Sequence, residues 1–148
     1  MREPLSLIHR ILRALIEKLK ELLIRHEGLK LFPYRDSLGR LSIGVGRNLE
    51  VTGVSQEEVQ LLLDNDIKQA IQSASTLPWY SKLNETRQIV ILSMIFNMGL
   101  GGLLKFKGMI RAIEHGDFYT AADEMLDSRL TTQVGIRAHE LAGMMRLG

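Results

Sequence analysis

Apolar residues recur at helical spacing towards both ends of this chain but not between positions 29 and 47, and that interruption limits the folds open to it. Leu5, Ile8, Leu12, Leu15, Leu19 and Leu22 alternate at three and four residues, and Leu7, Ile11 and Leu23 widen the stripe. The pattern predicts an amphipathic helix over residues 5–26, with Arg10, Arg13, Lys20 and Arg25 largely off the stripe. Pro4 suits its first turn and Gly28 its end. Residues 29–47, LKLFPYRDSLGRLSIGVGR, carry Pro33 and three glycines, with Asp36 to Gly39 as a type I turn between short extended runs. This reads as a small hairpin or meander that needs a helix packed on it.

Helical spacing returns at Ser55, where Ser55 to Glu58 form a capping box. Val59, Leu62, Leu63, Asp66, Ile67, Ala70 and Ile71 predict a helix running to about Ser75, before Leu77-Pro78. Asn84 is the next cap, opening an apolar helix through Ile89, Val90, Leu92, Ile95 and Phe96 to Gly99, expected to form the buried centre of a helical lobe. Gly101-Gly102 punctuates. A helix to His115-Gly116, one capped by Asp117, and a last one from about Gly135 to Arg146 complete the chain. The expectation is one α+β, predominantly helical domain over 1–148. Residues 27–54 make a small antiparallel lobe, 55–76 a connecting helix and 77–148 a helical lobe, with a cleft between the lobes.

Composition narrows the chemistry. The 148 residues include no cysteine, so disulfides, thiolate catalysis and cysteine–zinc sites are excluded. His9, His26, His115 and His139 show no metal-ligand spacing, so neither a metal nor another cofactor is expected. Residues 1–26 carry a net charge of +3 and the remainder −1, so the pI of about 9.0 reflects the leading segment. With only 5% aromatic residues and none set within a basic run, no nucleic-acid partner is expected. No stretch of about 20 apolar residues is present to span a bilayer, and residues 5–24 are too charged for the centre of a signal peptide.

Three residues invite a chemical reading. Glu27 sits where the first helix ends, facing the negative end of the helix dipole. Partial burial against Leu23, Leu31 or Phe32 would further disfavour its charged form, which suits a proton donor. Taken singly each residue has a plainer account: Glu27 as a solvated helix-end glutamate, Asp36 as the favoured first residue of a turn, Ser42 as a polar strand residue.

Their combination is more specific. The stretch HEGLKLFPYRDSLGRLSIGVGRNL closely resembles the motif of the phage-type lysozymes: a glutamate before Gly-Leu, an aspartate nine residues on, and a hydroxyl residue six further in Ser42-Ile43-Gly44-Val45-Gly46. Phe96-Asn97-Met98-Gly99, Ser128-Arg129, Gln133 and Arg137-Ala138 match later segments, so the resemblance runs from about Glu27 to Arg146. It implies a lysozyme-like two-lobed fold and a muramidase that hydrolyses, with inversion, the β-1,4 bond between N-acetylmuramic acid and N-acetylglucosamine in bacterial peptidoglycan. It assigns Glu27 as general acid, with Asp36 and Ser42 holding the attacking water, and an inverting pair has carboxyls ~6.5–9.5 Å apart. Arg137 corresponds to the family's arginine that pairs with the catalytic glutamate. Phe96, Asn97 and Gln133 are expected to line the cleft, with full packing of Phe96 as the alternative, and Asn48, Met109 and Glu124 fall at cleft positions by offset.

The chain departs from the family pattern in places. Ser42 replaces the usual threonine, which leaves its rotamer less fixed. Arg47 stands where many relatives carry histidine, which alters packing, and Leu130 where tryptophan is common, which removes ring packing from the cleft wall. Twenty-six residues precede Glu27, more than relatives often have. They extend the first helix, or they form over residues 4–25 a basic amphipathic helix for anionic membranes or lipopolysaccharide, and so the basis of a membrane-active lytic protein. The sequence reading is of a monomer made in the host cytoplasm without a clear signal peptide and acting on the bacterial wall after release.

Overall fold

A computed structural model describes residues 6–127 and 136–148 and divides into two compact units, Met1–Val59 and Gln60–Gly148. In the first unit α1 spans Leu7–Glu27. It starts two residues later than the stripe suggested, because the Ser6 hydroxyl accepts the His9 N–H and supplies the cap that Leu5 cannot. Pro4, expected in the first turn, lies outside the described residues. Gly28 ends the helix as expected, at φ 76° with its N–H on the Ile24 carbonyl.

The interruption is a three-stranded antiparallel meander: β1 Lys30–Arg35, β2 Leu41–Gly44 and β3 Arg47–Asn48, in that order. Lys30 pairs with Gly44 and Tyr34 with Ser42, so β1 uses four residues where β2 uses two and bulges between them. The β1–β2 turn closes with the Gly39 N–H on the Asp36 carbonyl at 2.9 Å. Gly39 takes φ 78°, the left-handed conformation that follows a type I turn in a three-residue hairpin loop.

The capping box forms: the Glu58 N–H meets the Ser55 hydroxyl at 3.1 Å and the Glu58 carboxylate takes the Ser55 N–H at 2.7 Å. It opens α2, Gln56–Ser75. Arg47 pairs with Glu58 at 2.7 Å and donates to the Gly53 carbonyl, so the residue that replaces histidine ties β3 to the start of α2. The apolar spacing of α2 overstates its burial. Val59, Leu62, Ile67 and Ile71 are exposed, and only Ala70 and Ala74 are buried, because only the C-terminal end of the helix reaches the core.

The core lies in the second unit. A 3-10 turn at Tyr80–Lys82 leads to α3, Glu85–Leu103, capped by Asn84 through the Arg87 N–H at 3.0 Å. Then come α4 Lys107–Glu114, α5 Phe118–Asp127 and α6 Ile136–Leu147. Val90, Ile91 and Met94 of α3 are fully buried with Leu103, Met109, Ala121, Met125 and Met145. Two expectations for α3 fail. Ile89 and Phe96 are about half exposed, since a helix in a core still turns one face outward. The helix does break at Gly99, φ 73° and ψ 169°, where its end was expected, but Gly101-Gly102 does not punctuate the chain: both residues are helical, and α3 ends only after Leu103. Arg87 closes the unit: it donates to the Met145 and Arg146 carbonyls at 2.8 and 3.3 Å and lies over the Phe118 ring, serving the free carbonyls at the end of α6.

The burial pattern predicts a contrast. Met94→Ala should cost about 2–5 kcal/mol and Ile89→Ala about 1 kcal/mol or less, read from urea midpoints at constant m. Equal losses would mean that the described core is wrong.

Candidate active site

Glu27 is the last residue of α1, and its carboxyl makes no hydrogen bond or ion pair among the described residues. It lies against the β2–β3 turn: a methyl group added to Gly46 would sit 3.5 Å from Oε2. Gly46 has φ 72°, so a side chain there would be strained even with room to spare. The expected apolar cover is absent. Glu27 is exposed, and so are Leu23, Leu31 and Phe32, the last two at 78% and 82%, because they lie in the bulged stretch of β1. What the structure supplies for Glu27 is position, at the negative end of a six-turn helix and beside a backbone that approaches without a side chain.

Asp36 is built differently. Its Oδ1 accepts the N–H groups of Leu38 and Arg40, both at 2.9 Å, and Oδ2 faces the Arg40 guanidinium at 3.3 Å. The Arg40 N–H does most to hold this carboxyl below its ordinary value; desolvation opposes it, and the Leu38 N–H and the Arg40 guanidinium add to the lowering. Asp36 is therefore an anion at neutral pH, suited to orienting a water or facing a developing cation and unsuited to donating a proton. Arg40 escaped the sequence reading, and its signal was the four-residue spacing across a predicted turn.

Ser42 occupies the middle of β2, paired with Tyr34 on one side and Asn48 on the other. It is 2% exposed, and its hydroxyl has no partner among the described residues. Along the hairpin Ser42 falls between the other two residues: four before Gly46, where Glu27 packs, and across from Tyr34, two before Asp36. Asn48, expected in the cleft, gives its side-chain oxygen to the N–H groups of Glu50 and Val51 and so holds the turn into α2.

The remaining expected residues belong to the second unit. Phe96 is 48% exposed, which removes the fully packed alternative. With Asp66, Gln69, Ser73, Gly99 and Leu100 it lines a hollow of about 430 Å³. Asn97 is exposed and donates to the Ser93 carbonyl of its own helix at 2.8 Å. Glu124 is exposed on α5 with its carboxylate over Gly108, where a methyl group would overlap it. Met109 is not a cleft residue, because α4 turns it wholly into the core. Arg137 lies in the first turn of α6 with its side chain exposed. Ser128, Arg129, Leu130 and Gln133 lie outside the described residues.

Comparison with known proteins adds independent findings. The phage lysozyme family model matches residues 24–146. The chain is 25% identical to probable T4-type lysozyme 1 of Dictyostelium discoideum, over 90% of this chain and 96% of that protein. It is 29% identical to the pre-baseplate central spike protein Gp5 of Enterobacteria phage T4, over 86% of this chain and 27% of that protein. It is also 29% identical to the SAR-endolysin of Escherichia phage Mu, over 74% of this chain and 64% of that protein.

The lowered Asp36 value fixes a pH dependence. A carboxyl whose folded value lies below its unfolded one contributes stability above about pH 4, and loses it as pH falls through the folded value. Asp36→Asn should therefore lower the urea midpoint at neutral pH, with the deficit shrinking as the pH is taken below about 4. A deficit that is constant with pH would contradict the ionised turn.

Proposed function

The chain belongs to the phage lysozyme family and is a lysozyme-type peptidoglycan hydrolase, and from that premise we propose that it cleaves the β-1,4 bond between N-acetylmuramic acid and N-acetylglucosamine with inversion. Glu27 donates its proton to the glycosidic oxygen as the bond from that oxygen to the muramic acid C1 breaks. A water adds to C1 from the opposite face, oriented by the Asp36 carboxylate and the Ser42 hydroxyl. Its proton passes to Asp36, and exchange with solvent restores both carboxyls. Phe96, Asn97, Glu124, Gln133 and Arg137 contact the saccharide, with Asn48 acting through the turn that it holds. The enzyme acts on the wall after release from the host cytoplasm, and cleavage there causes lysis.

The observation that carries this reading is the division of labour between the two carboxyls. One is fastened as an anion by two N–H groups and an arginine, and the other stands uncommitted at a helix end against a glycine. Inverting hydrolysis needs two carboxyls in unlike environments, because one must give a proton while the other stays charged. The uncommitted Ser42 hydroxyl supports the placement of the water.

Release of reducing ends from purified peptidoglycan tests it. Glu27→Gln should lower kcat by about a hundredfold to ten-thousandfold with little change in the urea midpoint. Ser42→Ala should lower it by about tenfold, the value of one hydrogen bond to the attacking water. Full activity in Glu27→Gln would end the proposal.

A further inference from the structure

The hydrolase does not account for α1. The family match begins at residue 24, yet the helix starts at Leu7, and none of its 21 residues is buried. Leu7, Ile8, Ile11, Leu12, Leu15, Ile16, Leu19, Leu22 and Leu23 are 37–76% exposed, so an ordered helix presents a continuous apolar stripe to solvent. Monomeric proteins rarely leave so much contiguous apolar surface without a use for it.

We propose that α1 is an interfacial anchor that lies flat on an anionic lipid surface with this stripe inserted among the acyl chains. The distribution of charge identifies the occupant. At 3.6 residues per turn the stripe from Ile11 round to Ile16 is roughly 140° wide. Lys18 and Arg25 border it on one side, and Lys20 and Arg13 lie beyond its other edge. Glu17 and Glu21 lie on the opposite face, where Glu17 is occupied by Lys20 at 3.0 Å. Cations flank the apolar stripe along its length, Glu17 and Glu21 lie far from it, and Glu27 alone stands near its edge, at the last residue of the helix; this pattern matches a surface of anionic headgroups over hydrocarbon. The long basic side chains reach the headgroups while their stems cover the boundary. The helix lies on the bilayer and does not cross it, since among the described residues no single helix is long and apolar enough to span one.

A second copy of the chain fits less well. Pairing through the alternating positions Ile8, Leu12, Leu15, Leu19 and Leu22 would put Ile11, Lys18 and Arg25 on one flank and His9, Ile16 and Leu23 on the other. Neither flank contains a carboxylate. The interhelical ion pairs that select a coiled-coil partner cannot form, and Lys18 and Arg25 would lie against leucine and isoleucine.

Co-sedimentation of the full chain with vesicles tests the assignment. The wild type should bind vesicles of phosphatidylglycerol and phosphatidylethanolamine, bind phosphatidylcholine vesicles far less, and weaken in about 0.5 M salt, where charge is screened within a few ångströms. The double substitution L12E/L15E should weaken binding to the anionic vesicles by about tenfold or more, and R13E/K20E should weaken it as well. Both variants should keep the far-UV circular dichroism of the wild type and its rate of reducing-end release from solubilised glycan. Three results would overturn the assignment: no binding by the wild type, equal binding to phosphatidylcholine, or binding indifferent to L12E/L15E. So would light scattering that shows a wild-type dimer made monomeric by L12E/L15E, since the stripe would then belong to a second copy.

Discussion

The Asp36 carboxylate is the point on which the first unit turns. Its Oδ1 gathers the Leu38 and Arg40 N–H groups, and those two bonds fold the loop that brings β2 back along β1. Strand pairing has a period of two, so the register set by this loop decides that Ser42 faces inward while Leu41 and Ile43 do not share its burial. The residue assigned to hold the attacking water is thus also the residue that positions the hydroxyl assigned to help it. A substitution at Asp36 acts on the chemistry and on the scaffold together, whereas Glu27, which holds no such bonds, is free to act on the chemistry alone.

Glycine provides the complementary constraint. Gly28 releases the chain from α1 straight after Glu27, and Gly46 lets the β2–β3 turn approach the carboxyl at a backbone angle that other residues adopt only with strain. Helix end, carboxyl and turn are consequently fixed within a few residues of one another. Arg47, the next residue, locks the far side of the same turn to Glu58. A short, mostly exposed sheet is held by these polar fastenings where it has too little apolar surface to hold itself.

The parts of the fold written in local chemistry were legible in the sequence. Gly28, the Ser55–Glu58 box, Asn84 and Asp117 each end or begin a helix through one or two backbone groups, and such bonds depend on residues a few positions apart. What depends on long-range packing was not legible. Ile89 and Met109 are equally apolar in the sequence, but one is exposed and the other wholly buried, because burial depends on which face a helix turns to its neighbours. Leu31 and Phe32 suggested cover for Glu27 that the bulge in β1 does not provide. The candidate site was legible as spacing, through the motif from Glu27 to Ser42. The unlike environments of its two carboxyls appear only once the turn is folded.

The central claim is that two carboxyls in different settings act from opposite sides of the sugar, so that water replaces the leaving group in a single displacement. Proton NMR of the newly released N-acetylmuramic acid ends, recorded before mutarotation, tests this most directly. The account predicts the α anomer as the first product. A β anomer formed first would show retention and contradict it.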